Sequence, residues 1–141
     1  MPSSIGSVAA LAGRILIAYL FVSAGIAKLA DLPGAMAYTA TGGIPGGLAF
    51  PAMLLEIFGG LAILVGWQTR IAAVALAAFT LVASVLFHYL PSLTAEPGQA
   101  FMQSLLLNKN LGVAGGLLVL AGIGAGALSL DARRESRAAL A

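Results

Sequence analysis

Four long apolar runs make up most of the chain, at about 8–29, 48–66, 71–90 and 105–130. A hydrocarbon core ~30 Å thick needs about 20 apolar residues per crossing helix, so each run is long enough to span a bilayer. The first run carries Arg14 and Lys28 near its ends, the second only Glu56, and the third Thr80, Ser84 and His88. Pro33, Pro45 and five glycines fall within residues 31–47 and mark a loop there. Pro91, Pro97 and Gly98 mark a second loop ahead of the fourth run. Only residues 67–70 separate the second run from the third, which makes those two helices antiparallel neighbours with Trp67 at interface depth. The expected fold is all-α, an integral membrane four-helix bundle forming one domain over 1–141.

Composition strengthens this reading. Of 141 residues, 60% are apolar and 9% charged, and the mean hydropathy is +1.03. So few polar side chains cannot cover the surface of a soluble domain of this size. Ser23, Ala24, Gly25 and Ala27 are small enough to raise the possibility of a cleaved leader. Arg14 inside the run and the prompt arrival of further spans favour a retained helix. Arg14, Arg70, Arg133, Arg134 and Arg137 fall at one end of a four-span bundle, and only Lys28 and Lys109 at the other. The positive-inside rule therefore places both termini in the cytoplasm.

Other classes drop out. The net charge is +2, and the seven basic residues are scattered, so there is no nucleic-acid footprint. With no cysteine and one histidine, the chain offers no thiolate metal site, and bis-histidine haem within a single chain is excluded. No His–Glu metal spacing, phosphate loop or serine elbow appears. No residue-level repeat supports a duplicated transporter.

Ionisable residues at membrane depth cost roughly 2.5–3.5 kcal/mol each and face the bundle interior or water. Glu56 lies about 12 Å below the outer boundary, at ~1.5 Å per helical residue. Lys28, His88, Asn108, Lys109 and Asn110 reach the same outer layer from the other three spans. Arg14, Ala18, Phe21, Gly25 and Lys28 form one stripe at steps of four and three, and Glu56, Gly59, Gly60 and Ile63 make a matching face. Glu56 is therefore expected to pair with Lys109 or Lys28, with His88 and the asparagines near enough to share a ligand or water. The plainer readings are a structural ion pair fixing helix register, an interfacial histidine, and Arg14, Arg70 and Lys28 snorkelling at helix ends. Gly112 with Gly116, and Gly122 with Gly126, are expected to pack helices closely. The arginine-rich tail reads as an anchor with affinity for anionic lipid.

Gly13-Arg14, Phe21, Gly25 and Lys28, then Glu56-Ile57-Phe58-Gly59-Gly60 with Gly66, Thr69-Arg70, Lys109-Asn110, Gly115-Gly116 and Ser129-Leu130-Asp131 occur in an order that resembles the DoxX family of small four-helix membrane proteins. The resemblance implies a multi-pass protein of the bacterial inner membrane, and some relatives are subunits of a thiosulfate:quinone oxidoreductase. Arg14, Lys28, Glu56, Arg70, Lys109 and Asn110 match polar positions of the family pattern, and His88 does not.

Two functional expectations follow. The first is a quinone-interacting redox subunit, with Glu56, Lys109 and His88 as catalytic residues, and Lys28, Asn108, Asn110, Arg14 and Arg70 as cofactor-binding ones. Electrons would then come from a redox partner protein. The second is a non-enzymatic module that docks a partner or binds a small hydrophobic ligand. Either works in contact with lipid and as a homo- or hetero-oligomer. A solute or proton pathway ranks lowest, because the cytoplasmic half shows mainly Arg14 and Arg70.

Overall fold

In the computed structural model, which describes residues 4–140, the elements run α1 (Ser4–Ala30), α2 (Leu32–Thr41), a 3-10 turn (Gly46–Leu48), α3 (Ala49–Val65), α4 (Thr69–Ser84), a π-helical turn (Val85–Tyr89), α5 (Leu90–Ser92), α6 (Pro97–Ile123) and α7 (Leu130–Ala138). Four helical stretches are long and apolar enough to cross a membrane: Ile5–Ala30, Gly46–Val65, Thr69–Ser92 and Pro97–Ile123.

The chain is a bundle of two helix pairs. α1 packs along α3 and α4 along α6, and a narrower α3–α4 contact joins them. The stripe read from the first run is the buried face of α1, with Arg14, Ala18, Phe21 and Gly25 all buried. Small residues set the α1–α3 spacing: a Cβ on Gly25 would lie 2.5 Å from Ile57 Cγ1, and one on Gly60 would lie 2.8 Å from Val22 Cγ2. By contrast, a Cβ on Gly112, Gly115, Gly116 or Gly122 would meet open space, so the glycines of α6 do not pack helices within the chain as expected.

Two loop expectations are corrected. Residues 31–47 hold a ten-residue helix, α2, rather than a continuous loop. Its proline stands in the first turn, where a missing N–H breaks no hydrogen bond, and Asp31 caps it by accepting from Gly34 N at 3.0 Å. Four of the five glycines come only after the helix ends. The fourth span, expected at 105–130, begins and ends earlier, at Pro97–Ile123. Pro97 sits in the first turn, where proline is favoured, and Gly124 at φ 87 stops the helix. The apolar residues beyond it belong to a separate connection leading to α7.

The close-packed core of Phe21, Ile63, Ala73, Leu76, Ala77, Leu117 and Leu120 draws on all four spanning helices. Most of it lies toward the end that carries the α3–α4 turn, here the turn end. The opposite end, where α2 lies, is the loop end and holds a cavity instead.

Candidate functional site

At the loop end, a cavity of about 500 Å³ is lined by residues from all four spanning helices and by α2. Its walls are mainly apolar, including Phe21, Leu55, Phe79, Leu86 and Val113, and into them project Lys28, Glu56, His88, Lys109 and Asn110. This size and make-up suit a small amphiphilic ligand. Tyr38 of α2 stacks on Phe87 with ring centroids 5.0 Å apart, so α2 forms part of the enclosure.

Of the two partners expected for Glu56, the structure uses Lys28. Lys28 Nζ donates to Glu56 Oε1 at 3.0 Å and lies 2.7 Å from Oε2. The one ammonium thus engages both carboxylate oxygens, and the buried Oε2 makes the closer contact. Lys109 lies exposed and Asn110 half-buried on α6, both on the cavity lining. Asn108, exposed on the same helix, is outside that lining.

His88 reaches the cavity from the π-helical turn. Thr80 Oγ1 donates to Leu76 O at 2.7 Å and Ser84 Oγ to Thr80 O at 2.6 Å, back-bonds of a kind that bend helices just before such irregular turns. Each step of four residues drifts by about 40° on an α-helix, so Thr80, Ser84 and His88 would diverge along one. The wider turn offsets that drift, and both Thr80 and His88 line the cavity. His88 Nδ1 lies 2.7 Å from Gln103 Oε1. Gln103 escaped sequence reasoning because residues 97–104 read as loop.

Arg14 and Arg70 are not brought to this layer. Arg14 is 2% exposed, so it does not snorkel. Its guanidinium donates to Ile63 O (2.9 Å), Leu64 O (2.7 Å), Ala125 O (2.8 Å) and Leu128 O (2.9 Å). It thereby satisfies carbonyls at the end of α3 and in the α6–α7 connection. Arg70 does the same for α6, donating to Ala121 O at 2.9 Å and Gly122 O at 2.6 Å. Gly66 at φ 70 closes α3 beside this cluster, and any Cβ there would strike Ser129. A recess of about 590 Å³ at the turn end is lined by Arg70, Asp131 and Arg134 among others, but Arg70 and Asp131 are already bonded to backbone.

Asp131 latches α7 to the bundle. Oδ1 accepts from Gln68 N at 2.9 Å and Oδ2 from Thr69 N at 3.0 Å, which caps α4, while Asp131 N donates to Gly66 O at 2.8 Å. Burial alone would raise its pKa, but the Thr69 and Gln68 hydrogen bonds and the nearby Arg134 outweigh it and hold the carboxyl below the usual aspartate range. A depressed folded-state pKa stabilises docking at neutral pH, and that contribution is lost as the pH falls through the lowered value. The chain has no cysteine, so a spin label on Ser136→Cys is unique. It is expected to stay immobile at pH 7 and to gain mobility only below the ordinary aspartate range, and Asp131→Asn should show that mobility already at pH 7. A label whose mobility is the same across both conditions would rule the latch out.

The comparisons with known proteins agree with the fold. A family model described as DoxX matches residues 9–89. The chain is 43% identical over 124 residues to the inner membrane protein YqjF of Escherichia coli (strain K12), covering 88% of this chain and 90% of that one. It is 32% identical over 125 residues to the inner membrane protein YphA of the same organism, covering 87% and 88%. No solved structure gives a significant match.

Proposed function

The chain belongs to the DoxX family and is a multi-pass inner-membrane protein, and from that premise we propose that it is a subunit of a membrane redox complex that binds the head of a quinone-class molecule in the loop-end cavity. The observation that carries this reading is the Lys28–Glu56 ion pair, its carboxylate buried, on the lining of a largely apolar cavity that also holds Lys109 and Asn110. A flat ring with oxygens at opposite edges suits these walls and this scatter of polar groups. Phe21, Phe79 and Leu55 would flank the ring, and Lys109 and Asn110 would donate to an oxygen. Glu56, paired with Lys28, would accept from a hydroxyl or hold a proton. When bound, a quinone supplies two-electron, two-proton chemistry. The chain has no cysteine and one histidine, so the electron carrier is assigned to a partner protein.

The proposed orientation sets the arginine-rich turn end in the cytoplasm and the cavity in the outer half of the bilayer. α1 makes no contact with α6 comparable to the α1–α3 and α4–α6 pairings among the described residues, and the apolar tail of the ligand would leave the cavity between them. The open glycine face of α6 is where a second subunit would pack.

The test is mass spectrometry of extracts from protein purified in mild detergent. Quinone near one per chain is expected in the wild type and in protein reconstituted with added quinone. Lys109→Met, an exposed position, should lose it without a change in melting temperature. Wild type that stays empty after reconstitution overturns the reading. The direct tie from α1 to α3 through Lys28–Glu56 favours a second reading, a non-enzymatic docking module in which the pair only fixes register. That reading predicts altered stability in variants of the pair and no bound quinone in any of them.

A further inference from the structure

Helix α7 carries Arg133, Arg134 and Arg137, all exposed. Only residues 124–129 separate it from the last spanning helix, and Asp131 ties its first turn to Gly66, Gln68 and Thr69. α7 therefore starts at the depth of the α3–α4 turn, where the exposed Trp67 marks the boundary between hydrocarbon and headgroups. The same tie fixes the rotation of α7. At about 100° per residue, Arg134 lies about 60° around the helix from Asp131, Arg137 about 120° and Arg133 about 160°. Arg134 accordingly sits near enough to Asp131 to favour its ionised form, and it shares a recess with Asp131 and Glu135. Arg133 and Arg137, one turn apart, point away from both acids and line a separate open recess of about 390 Å³ with Ser136 and two alanines. Among the described residues neither of these two guanidinium groups has a hydrogen bond or an ion pair, unlike those of Arg14 and Arg70. Leu130, 41% exposed, stands three and seven residues before them and so shares their face.

Two guanidinium groups on one face can fork onto the oxygens of a single phosphate. A leucine beside them enters the acyl boundary, the arrangement of helices that lie in a membrane interface. The depth of α7 and the exposure of Leu130 favour a lipid over an acidic protein as the partner of this face. We infer that α7 is a headgroup site for an anionic phospholipid of the adjoining leaflet, with Arg133 and Arg137 on its phosphate and Leu130 against the start of its acyl chains. A choline lipid offers the same phosphate but sets a second cation beside the two guanidinium groups. Arg134 stands outside the site, because Asp131 and Glu135 already offset its charge.

The experiment is native mass spectrometry of the whole protein released from mild detergent, titrated with phosphatidylglycerol or with phosphatidylcholine of the same acyl chains. Phosphatidylglycerol is expected to bind at least tenfold more tightly. Arg133→Gln and Arg137→Gln should each weaken its binding about fivefold, the scale for one arginine at an anionic lipid surface, and the double variant should bind the two lipids alike. Arg134→Gln should keep most of the preference, and melting temperatures should stay at the wild-type value throughout, since all three side chains are exposed. Equal affinity for the two lipids in the wild type would remove lipid as the partner of this face. A loss at Arg134→Gln as large as at Arg133→Gln would mean diffuse attraction by net charge and no site. Either result, or a preference that survives in the double variant, overturns the inference.

Discussion

Replacing Arg14 with leucine is expected to destabilise the bundle by about 3–5 kcal/mol, the scale for stripping partners from several buried polar groups at once. Four carbonyls lose their donor in one step, those of Ile63, Leu64, Ala125 and Leu128. They come from the end of α3 and from the connection after α6, segments that the α1–α3 and α4–α6 pairings alone leave unjoined. Leucine would fill part of the volume and satisfy none of them. Arg14→Lys should recover less than half of the loss, because an ammonium has three donors on a compact head and cannot fork to four carbonyls on two segments. Thermal unfolding in detergent checks the order wild type, Arg14→Lys, Arg14→Leu. Rescue by lysine to near wild type would show that charge at this depth matters and the fork does not.

The family-like residues thus divide between the two ends of one molecule. Arg14, Gly66, Thr69, Arg70, Ser129 and Asp131 close helix ends and fasten the turn end. Lys28, Glu56, Lys109 and Asn110 gather around the cavity. Hydropathy could place the spans because lipid demands about 20 apolar residues whatever the packing. Helical phase could also find the buried face of α1, since steps of four and three keep Arg14 and Lys28 on one stripe. Phase says which face is buried but not which neighbour covers it, and so it leaves Glu56 with two possible lysines. It also could not separate an arginine that snorkels from one spent on carbonyls, because those acceptors are backbone atoms far away in sequence. Ala125 and Leu128 have no side-chain feature that advertises their free carbonyls. α2 was hidden because its composition is that of a loop and its proline happens to fall in the one turn that accepts it.

The Lys28–Glu56 pair offers the sharper test of what the loop end is for. Lys28→Met leaves a carboxylate on a side chain only 6% exposed, whereas Glu56→Gln leaves an ammonium on one that is 27% exposed and flexible enough to turn toward water. The first substitution is therefore expected to cost more, about 2–4 kcal/mol against about 1–2, since an uncompensated charge is penalised by its burial. The double variant Lys28→Met with Glu56→Leu should regain most of that stability, because buried pairs are often replaced by apolar side chains at little net cost. It should nevertheless bind no quinone, having lost both charged groups from the cavity lining. Melting temperature and bound quinone, measured on the same four proteins, separate the two readings. Recovered stability with an empty cavity means that the pair serves the ligand. A double variant that stays as unstable as Lys28→Met, together with a wild type that holds no quinone, means that the pair sets helix register, and the cavity would then have no claim on Glu56.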